Sequence, residues 1–347
     1  MSTADGRRGR HIVLSLPRGV TLRAVRRTAW AGAAIAAGCL ALFALGVFTG
    51  TYHISTAQVF GVLHGGGSAT DRFIVLGQRM PRGVAALLVG AGLGLAGSLF
   101  QSLSRNPLGS PDIIGFTTGS TTGALAALLI GGGTRLGAGG GALLGGLATA
   151  LLVHLLTAAG GAVGGRLIVT GIAVGAMLAS VNDYLITRAD IESAESAKAW
   201  TFGSLNAITW PQVVPAAVAF PVLLAATLVL ARPLRMLSMG DDTAAALGVR
   251  VDRIRRLTLL VGVAWTALAI AVAGPIGFLA LAAPQLARRV ARTGSMPVMT
   301  AALTGALLLA CADFTGQRLL APFQIPVGLV TGALGGLYLM WLLHRRV

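Results

Sequence analysis

The sequence predicts an all-α polytopic membrane protein of about ten transmembrane helices. Three observations predict it. The chain is 55% hydrophobic and only 11% charged, where soluble domains carry roughly 25% charged residues. The few charges are clustered: no Asp, Glu, Lys or Arg lies between Arg82 and Arg105, Asp112 and Arg135, Arg135 and Arg166, or Arg256 and Arg288. Several of these gaps exceed the roughly 20 apolar residues that cross a bilayer. The arginines also flank the apolar runs, as loops on the inner side of a membrane require. The net charge of +16 therefore reads as topology in a lipid bilayer, not as a nucleic-acid surface.

Residues 1–27 are basic and polar (Arg7, Arg8, Arg10, Arg18, Arg23, Arg26, Arg27) and read as a disordered cytoplasmic tail. The transmembrane domain then runs over 28–347. Trp30 to Phe48 is its first span, an uncleaved helix rather than a signal peptide, because the apolar run is long and many spans follow. The further expected spans are 83–103, 113–131, 137–159, 167–187, 211–231, 257–273, 276–291, 296–313 and 326–343. A short amphipathic piece, Ile191 to Phe202, is expected at the surface. With ten spans and the N-terminus inside, 20 of the 27 Lys and Arg residues fall on the inner side. That asymmetry places both termini in the cytoplasm. After the first span, four spans (the second to the fifth) precede the sixth and four (the seventh to the tenth) follow it, the two sets entering from opposite sides. An inverted repeat is thus possible, although the two halves show no clear sequence similarity.

The longest polar interruption of the second half is Gly240 to Arg256, GDDTAAALGVRVDRIRR, expected as a cytoplasmic elbow of two short helices. Asp241 or Asp242 can cap the first helix and Asp252 the second. The Ala-rich run Thr243 to Leu247 favours helix, and Gly248 stands where a helix ends in a left-handed residue. The 49 glycines suit helices that pack closely in lipid.

Much chemistry is missing from the sequence. Lys198 is the single lysine, so no GxxxxGK[ST] loop exists to cradle ATP phosphates. There is no HExxH or GxSxG motif, and Cys39 and Cys311 fall in apolar runs with no metal-site spacing. These absences leave a membrane-embedded enzyme without a catalytic constellation. An ion-gradient-driven secondary carrier is the alternative from another class, but it usually needs more intramembrane ionisable groups than Asp183 and Asp313 supply. Uphill transport by this chain therefore takes its energy from another chain.

Four stretches together carry a resemblance: 79–119 (RMPRGVAALLVGAGLGLAGSLFQSLSRNPLGSPDIIGFTTG), 239–257 (MGDDTAAALGVRVDRIRRL), 274–289 (GPIGFLALAAPQLARR) and 325–346 (IPVGLVTGALGGLYLMWLLHRR). The chain resembles the FecCD-type permease family, the membrane subunits of type II ABC importers for ferric siderophores, haem and cobalamin. The resemblance covers about residues 30–346. It implies the type II importer permease fold, a location in the bacterial inner membrane, and no cofactor bound by this chain, with ATP held on two cytoplasmic ATPase subunits. A second permease subunit, the same or homologous, and an extracytoplasmic substrate-binding protein would complete the assembly. By the resemblance, Gly240, Asp241, Asp242, Ala244, Ala245, Leu247, Gly248 and Val249 form the helix that couples to the ATPase. Arg79, Arg82 and Arg318 would meet carboxylates of the binding protein, for which the planar guanidinium is suited. Asn182 and Asp183 with Phe202 and Gly203 would line the substrate path at the interface of two permease subunits. Ferric siderophore import is the implied function, with haem or cobalamin as the other cargoes of the same mechanism. The chain departs from many members at Gln324, where they carry Glu, and at Gln285, where they carry His.

Overall fold

The computed structural model describes residues 11–16, 20–112, 115–130, 137–158, 165–292, 298–321 and 323–344. Arg7, Arg8, Arg10, Arg18, Arg135, Arg345 and Arg346, used in the charge count, lie outside the described residues, as do the ends of several expected spans. Part of the expected tail is ordered differently from the sequence reading. β1 (His11–Leu16) pairs antiparallel with β2 (Val20–Val25), with His11 opposite Val25. The β-branched and aliphatic residues of HIVLSL and VTLRAV favour that extended pairing.

The rest is helical: α1 (Arg26–Phe48), α2 (Thr56–Leu63), α3 (Ala69–Arg72), α4 (Met80–Ser104), α5 (Phe116–Leu129), α6 (Gly137–Ala158), α7 (Gly165–Arg188), α8 (Ile191–Thr201), α9 (Trp210–Leu237), α10 (Asp241–Ala246), α11 (Val251–Ala273), α12 (Leu279–Ala291), α13 (Val298–Gly316) and α14 (Val327–His344). Among the described residues seven helices are long and apolar enough to cross a membrane: α1, the continuous rod Ala69–Ser104, α6, α7, α9, α11 and α13. The expected count of about ten is thus not met by that measure. The other three expected spans hold shorter helices, α5 of 14 residues, α12 of 13, and α14 with an apolar portion Val327–Tyr338. The reason is local. α5 and α12 begin only after segments carrying Pro111 and Gly115, and Gly274, Pro275 and Phe278, which occupy part of the path without helix. Gly115, Gly274 and Phe278 all have positive φ. Phe278 donates its backbone N–H to Asp112, whose carboxylate also accepts from Thr117 Oγ1 at 2.5 Å. Non-helical backbone at such depth needs partners of this kind.

α4 is the central helix, buried along most of its length against α13, α11, α12 and α9. Its crossing with α13 depends on glycine. A Cβ on Gly90 would overlap the Gly305 carbonyl, and one on Gly305 would overlap that of Gly90. In lipid such close backbone approach supplies the dispersion contacts that hold helices together. The pairings also have a symmetry that the sequence did not reveal. α4 packs on α13 as α11 packs on α6; α5 packs on α6 as α12 packs on α13; α5 meets α7 as α12 meets α14. Exchanging α4–α7 with α11–α14 preserves the pattern, as an internal repeat requires.

One irregularity positions a candidate site. Between α3 and α4 the rod opens into a π-helical stretch, Phe73–Arg79. Pro81 lacks an N–H and its ring crowds the preceding turn. The wider turn relieves this, and the Met80 N–H reaches back five residues to Val75. In the same register Leu76 O would look to Pro81, which has no hydrogen to give. The Trp210 indole donates to that carbonyl instead, at 2.7 Å, and pins the start of α9.

Candidate functional site

Arg79 and Arg82 flank the end of the π-helical stretch, on adjoining turns. Opposite them α13 brings Asp313, and the following turn brings Gln317 and Arg318. Arg82 meets Asp313 side-on: Nε lies 3.1 and 3.0 Å from the two carboxylate oxygens and Nη2 lies 2.8 Å from Oδ1. The side chains are only 14% and 7% exposed. Gln317 donates to the same carboxylate at 2.7 Å, and Arg82 Nη1 donates to Gln324 Oε1 at 2.8 Å. Arg82 is therefore largely neutralised within the chain. Such a pair contributes little net stability over an apolar substitute, but removing one partner strands a buried charge at a cost of about 3–5 kcal/mol.

Arg79 and Arg318 are held differently. Arg79 donates to two backbone carbonyls, that of Val47 in the last turn of α1 at 2.9 Å and that of Tyr52 beyond it at 2.5 Å. A carbonyl carries no full charge, so the guanidinium keeps its own. Arg318 lies over the Phe314 ring, 3.5 Å from its centroid, and donates to Thr49 Oγ1 and to Phe314 O. Burial and the neighbouring Arg82 pull its pKa below the usual arginine value, while Asp313 pulls it back up. The three arginines line one cavity of about 460 Å³ with Gln78, Gln317 and Gln324. Sequence reading found the arginines but not the roles of Asp313, Gln317 and Gln324. A lone carboxylate in an apolar helix was the available signal, since such a group demands a partner.

The elbow forms at the other end of the helices. α10 is a six-residue helix whose N-cap is Gly240, with φ 118°, and whose start carries no side-chain cap. Neither Asp241 nor Asp242 caps it, contrary to the sequence reading. The Asp241 carboxylate pairs instead with Arg105, next after α4, and with Arg255 of α11 at 2.6 Å. Two charged partners outcompete a cap, and at the first turn the carboxylate still faces the helix dipole favourably. Asp252 likewise lies within the first turn of α11, where Arg250 is the N-cap. α10 ends as a Schellman turn. Gly248, with φ 84°, donates to Ala245 O at 2.9 Å and Val249 to Ala244 O at 3.0 Å. Ala244 is buried with Leu230, Leu234 and Leu237 of α9. Asp242, Ala245, Leu247 and Gly248 stay exposed, Leu247 at 58%. The elbow thus presents a small apolar tip on a braced, charged base.

The third group divides. Asn182 is buried on α7 with its Oδ1 unpartnered, whereas Asp183 is exposed. α7 is the least covered of the seven candidate spans, with 11% of its apolar window buried. Phe202 is half-exposed, but Gly203 is buried with φ 65°. Its carbonyl accepts from Gly328 at 3.1 Å, and a Cβ there would overlap Pro275 O. Gly203 joins the α8–α9 connection to the starts of α12 and α14, a packing task that its neighbours in sequence do not announce.

Comparison with known proteins agrees with this architecture. Residues 38–345 match the model of the FecCD transport family. The chain is 46% identical over 312 residues to the ferric enterobactin transport system permease protein FepG of Escherichia coli (strain K12), covering 90% of this chain and 94% of the relative. It is 36% identical over 291 residues to the Fe(3+) dicitrate transport system permease protein FecD of the same organism, covering 79% and 86%. A solved structure described as an inward-facing conformation of a metal-chelate type ABC transporter superposes with a TM-score of 0.81 at 26% identity, covering 90% of this chain and 98% of that one. As a multi-pass permease subunit with helical membrane spans rather than an enzyme by itself, the chain belongs to the FecCD transport family.

Proposed function

We propose that this chain is the membrane-spanning permease subunit of an ATP-driven importer for ferric siderophores. The 46% identity with a ferric enterobactin permease over nearly its whole length carries the cargo class. Two ATPase subunits, a second permease subunit of the same or a related sequence, and an extracytoplasmic binding protein complete the importer. All ten expected spans cross the inner membrane in this reading, α5, α12 and α14 doing so with the help of their non-helical entries. Both termini and the elbow then lie in the cytoplasm, as the distribution of arginines supports.

The geometry suits that assembly. The exposed tip of α10, centred on Ala245 and Leu247, docks into the ATPase. Closure of the ATPase pair around ATP moves α10, and the Asp241 pairs pass the push to α4 and α11. Because α4 packs on α13 and α12, a shift of this helix reaches the opposite mouth. There Arg79 and Arg318 receive carboxylates of the binding protein. Arg318 is desolvated and lies near Arg82, so an incoming carboxylate relieves both conditions. Arg82 acts as the anchor that fixes the mouth. The bare face of α7, with Asp183 and the nearby Phe202, meets the second permease subunit and lines the path with it, while Asn182 lies beneath. Gly203 holds the α8–α9 connection against the starts of α12 and α14.

Reconstitution with the partner ATPase and binding protein tests the reading. Ferric catecholate, ferric hydroxamate, haem and cobalamin are offered in turn, and uptake and ATP hydrolysis are measured. Uptake of a ferric chelate that requires ATP is the expected result. Uptake driven by an ion gradient with no ATPase present would falsify it.

A further inference from the structure

We propose that the cavity between the ends of α4, α9, α12 and α13 binds the headgroup of an anionic phospholipid. The cavity measures about 280 Å³ and lies beside the elbow, away from the mouth described above. Three guanidiniums line it, Arg105, Arg235 and Arg288, and none of its lining residues carries a carboxylate. Part of this wall is already fixed. Arg288 donates to Gln101 Oε1 at 2.9 Å, and Gln101 Nε2 donates to Leu281 O at 3.0 Å. Arg105 has Asp241. Two groups on the wall remain unmatched among the described residues. Arg235, near the end of α9, has no ion pair or side-chain hydrogen bond. Ser98 is only 1% exposed, and its hydroxyl has no partner. A buried hydroxyl without a partner costs free energy that an acceptor oxygen would recover. Arg235 on α9 and Ser98 on α4 both line the cavity, and a cation with a hydroxyl suits a phosphate group.

The floor says that the anion has a tail. Leu99, Ala231, Leu234 and Val298 form it. On α9, Leu228, Ala231 and Arg235 follow at spacings of three and four residues, so they share one face of the helix. Leu228 is exposed, and Val222 and Val229 of the same helix are exposed as well, as residues facing hydrocarbon would be. The cavity therefore opens from a cationic rim onto an apolar helix surface. A free phosphate uses only the rim; a phospholipid uses rim and floor. Because Arg105 also pairs with Asp241 of α10, a bound headgroup lies one side chain from the elbow.

Native mass spectrometry of the intact transporter complex in detergent tests the site, with dioleoylphosphatidylglycerol and dioleoylphosphatidylcholine as probes. The anionic lipid is expected to be retained about fivefold more strongly per unpaired arginine. Arg235→Gln should erase about that factor, and Ser98→Leu, which fills the wall, should lower retention as well. Arg235 is exposed at a helix end, so its variant folds even where the Ser98 variant does not. A lipid preference unchanged in Arg235→Gln overturns the proposal. So does displacement of the lipid by millimolar inorganic phosphate, which would mark the cavity as a site for free phosphate.

Discussion

Arg79, Arg82 and Arg318 carry the same charge in one small cavity, yet their surroundings divide their work. Arg82 is committed to Asp313, so its single removal should be costly. Arg82→Leu or Asp313→Leu alone is expected to destabilise by about 3–5 kcal/mol, and the double variant to recover most of that loss. Thermal unfolding of the four proteins in detergent measures the cycle, and additive losses would mean that the pair does not act as a unit. Arg79 and Arg318 keep uncompensated charge. Reversing Arg318 to Glu should weaken binding-protein association about tenfold at low ionic strength, with the gap closing at high salt. Arg79→Glu should act in the same direction but also loosen the Val47 and Tyr52 carbonyls. Affinity unchanged by Arg318→Glu at low salt would return that residue to a purely structural part.

The elements show how short-range rules yield to longer-range ones. Pro81 and the π-helical stretch are one device: the missing N–H widens the turn, frees the Leu76 carbonyl, and lets Trp210 tie α9 to α4. The elbow shows the reverse case. Its length, its Ala-rich core and the left-handed Gly248 follow from local propensity, and the structure has them. Its capping does not, because Arg105 and Arg255 claim Asp241 from 136 and 14 residues away. Leu247 bears no fold duty, being exposed on a helix whose buried contact is Ala244. Leu247→Glu should therefore change stability by no more than about 0.5 kcal/mol while uncoupling ATP hydrolysis from uptake. Intact coupling in a normally folded Leu247→Glu transporter would remove α10 from the transmission path.

At the scale of the whole molecule, two groups of four helices exchange places in the packing pattern, with α4 and α11 in contact near the centre. Orientation in the membrane is the matching prediction. In a background without Cys39 and Cys311, Ala246→Cys should react with a membrane-impermeant maleimide only after cells are opened, and Thr51→Cys should react in intact cells. Labelling of Ala246→Cys from outside would reverse the topology. Composition and charge spacing alone determined that the chain is a helical membrane protein, roughly where its apolar segments lie, and that it carries no GxxxxGK[ST] loop; the residues of the mouth and elbow were singled out by the resemblance to the FecCD-type family. Those properties are local: a run of apolar residues crosses lipid whatever its neighbours, and a missing P-loop is missing in any fold. Tertiary structure alone decided that Arg82 belongs to Asp313 and that Gly203 serves packing. Each depends on groups brought together from distant parts of the chain, 231 residues apart for the buried pair, and in a low-dielectric interior the nearest opposite charge or carbonyl settles what a polar side chain does.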